Sequence, residues 1–241
     1  MNDARISGIS TALNGAGLIL RGSGALYWPD EGLLCASDLH LGKAERMARR
    51  GGPSLPPYET RDTLSRLEAE IEATGARTVL CLGDSFDDRA AAEALNEEEQ
   101  LWIARLQAGR RWIWMEGNHD PGVTGFGGTY RTELTIGPLT FRHIAVPGAQ
   151  GEISGHYHPK VQLPTRGRMI SRPAFLCDSA RLIMPAFGTY TGGLRSHDQA
   201  LCGLMQRGAF AVMTGRVPVR VPMPRSAAFS DQSTPAASRS G

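Results

Sequence analysis

The chain has 241 residues, 26 Lys plus Arg against 24 Asp plus Glu for a net charge of +2, and 29 glycines. That length suits one generous domain able to bury its own core, no apolar run approaches the roughly 20 residues of a membrane span, and Met1-Asn2-Asp3-Ala4-Arg5 lacks the apolar stretch of a secretory signal. Cys35, Cys81, Cys177 and Cys202 stand singly, which predicts buried free thiols in a cytoplasmic protein and excludes a zinc ribbon.

Short apolar pieces separated by glycine, 17–20, 25–28 and 32–36, read as strands in hairpin-like succession. Residues 43–50 predict a basic helix stopped by Gly51-Gly52-Pro53, followed by a proline-rich loop over 54–58. Thr60 is the expected cap of a helix running to Thr74, with Leu64, Leu67 and Ile71 on one face and Gly75 past its end. Residues 78–82 read as a strand, 88–106 as a helix broken near Asn96, and 111–115 as a strand whose Trp112 and Trp114 belong to the core. The second half is mostly strands. Residues 129–136 and 139–144 flank a Gly137-Pro138 hairpin turn, and 169–176, 181–185 and 209–213 follow. Strand–helix alternation giving way to strands suggests an α/β unit whose sheet continues into, or packs on, a second sheet. Residues 1–223 are read as one domain. Residues 224–241, small and polar, are read as a disordered tail.

Three strands run into polar clusters: Asp38-Leu39-His40, Gly83-Asp84-Ser85-Phe86-Asp87-Asp88, and Gly117-Asn118-His119-Asp120. His143 and Gly155-His156-Tyr157-His158 come later, so five of the six histidines fall in these clusters. In open α/β sheets, ligands bind beyond the carboxyl ends of strands. Carboxylate, imidazole and amide oxygen without thiolate suit Mn²⁺, Fe or Zn²⁺. In an extended segment Asp38 and His40 point to one side and can reach one ion, and His156 and His158 repeat that spacing. Asp84 can bridge two ions, and Gly83, Gly117 and Gly155 let the backbone turn sharply. Singly, Asp-x-His and Gly-Asp-x-x-Asp are more often a turn or a helix cap, while Gly-His-x-His and Gly-Asn-His-Asp are more specific; the ordered set carries the weight. Lys43, Arg46 and Arg50 share a helical face after His40 and could touch phosphates, with a solvated face as the bland alternative. Arg142 could clamp phosphate or be an ordinary hairpin charge. Tyr157 could stack on a base or simply pack.

In that order, Asp38-x-His40, Gly83-Asp84-x-x-Asp87, Gly117-Asn118-His119-Asp120, His143 and Gly155-His156-x-His158 resemble the signature of the calcineurin-like metallophosphoesterases. Further stretches, Leu55-Pro56-Pro57-Tyr58-Glu59-Thr60-Arg61 and Pro185-Ala186-Phe187-Gly188-Thr189-Tyr190-Thr191-Gly192-Gly193 among them, are similar to the bacterial ligase-associated DNA damage response phosphoesterases. The resemblance implies two mixed sheets packed face to face and flanked by helices, a four-layer αββα sandwich. It implies two divalent ions, Mn²⁺ foremost: Asp38, His40, Asp84 and His158 holding one, and Asp84, Asn118, His143 and His156 the other. His119 would protonate the leaving oxygen, with Asp87 or Asp88 orienting it, and a metal-bound hydroxide would attack phosphorus in line. DNA is the implied substrate, with an ATP-dependent ligase and a helicase as functional associates. Small nucleotides or phosphomonoesters are the alternative substrates, and a non-catalytic scaffold is a third reading that the complete ligand set disfavours.

Overall fold

The computed structural model describes residues 7–52, 55–119, 125–165 and 167–225, so Ser54, Asp120 and the tail from 226 onward lie outside the described residues. Strands β1 (Gly8–Leu13), β2 (Ala16–Arg21), β3 (Leu26–Trp28) and β4 (Leu33–Ala36) form an antiparallel meander. Helices α1 (Lys43–Arg49) and α2 (Glu59–Thr74) lead into β5 (Thr78–Cys81), and α3 (Arg89–Glu93) and α4 (Glu97–Gln107) lead into β6 (Arg111–Met115). These strands and β7 (Thr129–Arg131) run parallel from β4 onward, closing a seven-stranded sheet in sequence order.

The second sheet draws on β8 (Glu133–Ile136), β9 (Leu139–Arg142), β10 (Glu152–Ser154), β11 (Lys160–Thr165), β12 (Arg168–Cys177) and β13 (Arg181–Ile183). After α5 (Gln199–Leu204) come β14 (Phe210–Met213) and β15 (Val219–Pro222). Its order is β15-β14-β12-β13-β10-β9-β8, with β11 hydrogen-bonded to β12. β9, β10 and β13 are parallel neighbours.

The layering follows from strand alternation. Along β4, Leu33 and Cys35 face a core shared with Phe141, Ile153, Phe175 and Val212 of the other sheet. Leu34 and Ala36 face the opposite way, onto Leu64, Leu67 and Ile71 of α2 and Ile103 of α4. On the far side, Leu176, Ile183 and Ala211 pack on Leu201 and Cys202 of α5. The result is helix, sheet, sheet, helix, as the family resemblance implies. All four cysteines are free and buried. Among the described residues no helix is long and apolar enough to cross a membrane.

Several sequence expectations change. The stretch 129–136 is two strands in different sheets, because the chain crosses from one sheet to the other at Thr132. Thr60 lies inside α2, whose cap position is Tyr58, and its hydroxyl accepts the Gly42 N–H at 2.9 Å instead. Gly75 ends α2 in the left-handed conformation as expected. The break near Asn96 is a new helix start: Asn96 and Glu99 form a reciprocal capping box. Arg225 is no part of a loose tail, since its guanidinium donates to the carbonyls of Cys202 and Met205 at the end of α5. The strands β1, β10, β11 and β15 and helix α5 carry no strong sequence signal. β10 is three residues long, and β11 contains Pro164.

Candidate metal centre

Ligand-type side chains collect where β4, β5, β6, β9 and β10 end. The loop after β4 is zipped onto the loop after β5: the N–H groups of Asp38, His40 and Leu41 donate to the carbonyls of Gly83, Asp84 and Ser85 at 2.9–3.1 Å. The Gly188 N–H donates to the Asp38 carbonyl at 3.0 Å from a third segment. Among the described residues three such groups form; one is His40, Asp87 and His119, and the other two make the centre. Asp38, His40 and His158 each bring a donor atom within 4.8 Å of the others, with Asp38 Oδ1 2.9 Å from His158 Nε2. Asp84, His143 and His156 make the second, with His143 Nε2 3.4 Å from Asp84 Oδ2. Asn118 Oδ1 joins it, 3.0 Å from His143 Nε2 and 2.9 Å from His156 Nδ1. The clusters abut, since His143 Nδ1 lies 3.9 Å from Asp38 Oδ1.

The backbone that presents these groups is unusual. Seven described residues other than glycine have positive φ, and five are Asp38, His40, Asp84, His156 and His158. The pairs 38/40 and 156/158 therefore share a local geometry, but it is left-handed and not the extended one the spacing suggested. Such conformations cost about 1–3 kcal/mol each and persist where the surroundings over-determine them. Gly83 also has positive φ, and a Cβ there would run into the His143 ring. Gly155 is required for contact and not for its turn: a Cβ on it would collide with Ser37 Oγ and the Asp38 carboxylate. Ser37, which the sequence reading left without a role, donates to Asp38 Oδ2 at 2.5 Å.

Electrostatics favour a bound cation. Burial works to raise the Asp38 carboxyl, but the contacts with His158, His143 and Ser37 hold it below its usual range. Asp84 is likewise opposed by burial yet held at about 2 by His143 and the His119 N–H. Burial, then His143, pushes His156 down, which keeps its imidazole neutral and its lone pair available. Burial pulls His143 down as well, and the Asp84 carboxylate overrides it and raises it. A proton on His143 Nδ1 can go to the Leu82 carbonyl, 3.3 Å away. Nε2 then turns its lone pair toward Asn118 Oδ1 and Asp84 Oδ2. Acceptors facing one another need a proton or a cation between them. His40 Nε2 is buried with no hydrogen-bond partner, and His158 Nε2 is buried with Asp38 Oδ1 as its neighbour. Oxygen and imidazole donors with unsatisfied inward atoms fit divalent metal ions of the Mn²⁺, Fe or Zn²⁺ kind.

His119 stands beside the first cluster, its ring edge-on to His40 with centroids 5.2 Å apart. Its Nδ1 lies 3.0 Å from the Asp87 backbone carbonyl, which can only accept, so Nδ1 carries the proton and Nε2 is the free ring nitrogen. The Asp87 carboxylate is engaged elsewhere, 2.8 Å from His40 Nδ1 and 2.7 Å from Arg46. Burial resists its ionisation, but His40, Arg46 and Lys43 hold it far below the usual carboxylate range. Asp88 does not contact His119. It caps α3 by accepting the Ala91 N–H at 2.8 Å and pairs with Arg49 at 2.8 Å. The expectation that one of two adjacent carboxylates orients His119 is thus replaced by a main-chain contact.

The expected phosphate-binding cations are largely occupied. Lys43 and Arg46 sit on Asp87, at 3.7 and 2.7 Å, and Arg50 reaches Asp88 at 3.5 Å. Arg142 pairs with Glu133 and with buried Glu152. Tyr157 packs: its ring meets His156 edge-on at 5.0 Å and leans on the core beneath α5.

The family model for calcineurin-like phosphoesterases matches residues 33–166, more than half of the chain, and that span contains every side chain in both clusters. Among solved structures the chain is similar to the nuclease MPE of Pseudomonas putida, at 26% identity and a TM-score of 0.68 over 88% of this chain and 100% of that one. No curated protein matches. The chain belongs to the calcineurin-like phosphoesterase family and is a metal-dependent phosphoesterase.

Proposed function

We propose that this chain is a phosphodiesterase that cuts DNA, in the setting of DNA repair, at a centre of two divalent cations. The observation that carries the reading is the pair of abutting clusters, Asp38-His40-His158 and Asp84-His143-His156, with the buried His40 Nε2 left without a partner. Asp38, His40 and His158 would hold one ion, Asn118, His143 and His156 the other, with Asp84 between them. Two such ions supply charge neutralisation at phosphorus and an activated water near neutral pH. Mn²⁺ is the ion we favour, as the family resemblance implies; the oxygen and imidazole donor set also suits Fe or Zn²⁺.

The protein's own share is positioning. Left-handed backbone at five ligand positions fixes the donors before substrate arrives. Asp87 holds His40 through Nδ1, leaving Nε2 for the ion, the arrangement that orients metal-bound imidazoles generally. His119, anchored through Nδ1–H, presents Nε2 to the leaving oxygen; with both ring nitrogens protonated it gives that oxygen the Nε2 proton and is left as the neutral Nδ1–H ring. The likeness to a nuclease supports nucleic acid over a small ester.

The test is a metal-by-substrate profile of the purified chain. Metal-stripped protein is reconstituted with Mn²⁺, Mg²⁺, Fe²⁺ or Zn²⁺ and incubated with circular single-stranded DNA, a small phosphodiester and a phosphomonoester. We expect Mn²⁺-supported nicking of the DNA circle. Turnover of the small esters with no nicking under any ion would overturn the DNA reading.

A further inference from the structure

Two motifs remain unused by the chemistry above, the loop ending at Tyr58 and the segment 188–193. The fold brings them together. The Tyr58 and Tyr190 rings lie 6.1 Å apart by centroid, tilted by 57°. Their relative exposures are 55% and 39%, and they are the exposed aromatic side chains among the described residues. The rings are tilted and do not stack on each other. Every other aromatic among the described residues is at least partly buried.

The segment carrying Tyr190 is tied at both ends to the backbone that carries metal-centre residues. At one end the Gly188 N–H donates to the Asp38 carbonyl at 3.0 Å. At the other, Gly193 lies so close to His158 that a Cβ there would collide with its backbone, and the Leu194 N–H donates to the Tyr157 carbonyl at 3.1 Å. The segment thus joins two residues of the first ligand cluster. Between its ends, the Thr189 N–H donates to Thr63 Oγ1 at 3.1 Å and Thr191 Oγ1 donates to the Gly188 carbonyl at 3.0 Å. Tyr190 sits between them with φ of 61°, a conformation a bulky side chain adopts only when its surroundings enforce it. Two residues from Gly188, its Cα is within roughly 7 Å of the residue bonded to Asp38.

The charge here differs from that along α1. Lys160 Nζ donates to the Thr191 carbonyl at 3.0 Å, and Lys160 is bridged through its backbone to exposed Arg195. Neither cation has an acidic partner among the ion pairs of the described residues.

We infer that Tyr58 and Tyr190 form a stacking platform for an unpaired nucleobase of the strand being cut, with Lys160 and Arg195 placed for its flanking phosphates. The inference rests on the nucleic-acid reading of the metal centre. Aromatic platforms beside a positive groove are how proteins hold single strands without reading sequence, and paired bases in a duplex hide the faces that stack.

The test crosses a protein change with a substrate change. Mn²⁺-loaded wild type and the Tyr58→Ala/Tyr190→Ala variant are compared on a single-stranded oligonucleotide and on one of equal length with a central run of abasic sites. Wild type should prefer the strand with bases by about tenfold or more in kcat/KM. The double alanine variant should lose that preference, while Tyr58→Phe/Tyr190→Phe, which keeps both rings, should retain it. Thermal melts check that each variant is folded. An alanine variant that keeps the full preference overturns the platform and leaves the nuclease reading standing. A wild type that cuts neither strand overturns the nuclease reading, and the platform with it.

Discussion

The two flanks of the metal centre carry similar charges and put them to different uses. Along α1, Lys43, Arg46, Arg49 and Arg50 look like a phosphate-binding stripe, yet Asp87, Asp88 and Glu45 take them up one by one. Along the 188–195 segment, Lys160 and Arg195 stand without acidic partners beside two exposed tyrosines. The difference teaches that a cation's place in a sequence says little about its availability. On the α1 flank the positive charges serve the ligands from behind: they keep Asp87 ionised, and Asp87 holds His40. The other flank is open to what arrives from solvent.

The largest effect should come from what both flanks surround. Asp84 belongs to the second cluster and is the carboxylate proposed to serve both ions, so Asp84→Ala should lose bound metal and at least about a thousandfold in turnover, read by metal analysis and rate together. His119→Ala should keep its metal and lose about 10²–10⁴-fold on a diester with a poor leaving group. An activated nitrophenyl diester, which needs no proton, should be much less affected. An equal loss on both esters would remove His119 from the acid role.

Next comes the buried support on the α1 flank. Asp87→Asn removes the carboxylate from His40 Nδ1 and leaves Arg46 and Lys43 without their partner. Orienting partners of metal-bound imidazoles are worth about 10–100-fold in affinity or rate. A metal titration of the variant that matched wild type would show that the flank does not serve the centre.

Acid should act on the metal-free chain at the same place. The Asp84 carboxyl is held at about 2 in the folded chain against its ordinary value of 3.8. The folded state therefore takes up that proton at lower pH than the unfolded state. Its contribution, about 2 kcal/mol, is fully present above pH 4 and lost as pH falls toward 2. The drop in melting temperature between pH 5 and pH 3 should be smaller in Asp84→Asn than in wild type.

Much of the centre was legible because the chemistry constrains residue type: only carboxylate, imidazole and amide oxygen could do the work, and they follow predicted strands. The four layers were legible through the family resemblance, and β4, buried at all four residues because both of its faces are covered, bears them out. What stayed hidden depends on where neighbouring side chains point. Asp87 and Asp88 are adjacent in sequence, yet one faces His40 and the other caps α3. The left-handed backbone at Asp38 and His40 comes from hydrogen bonds to the loop after β5 and to Gly188, which local spacing cannot reveal. The change of sheet at Thr132 leaves the apolar alternation unbroken. The meeting of Tyr58 with Tyr190 joins positions 132 residues apart in sequence.

The smallest effects separate the flanks most cleanly. Arg50 already leans on Asp88, so Arg50→Gln should change KM for a single-stranded oligonucleotide by less than about twofold. Arg195→Gln removes a cation with no acidic partner among the described residues. It should raise KM several-fold at low salt, and the slope of log(kcat/KM) against log[salt] should become shallower by about 0.7, the single-strand value for one phosphate contact. Because a phosphate contact releases its counterion whatever base sits beside it, the loss should be the same on strands with and without bases. That independence distinguishes Arg195 from the tyrosines, whose effect should vanish on the abasic strand. Should Arg50→Gln flatten the salt slope and Arg195→Gln leave it alone, the assignment of the two flanks would have to be reversed, and the substrate path would run along α1.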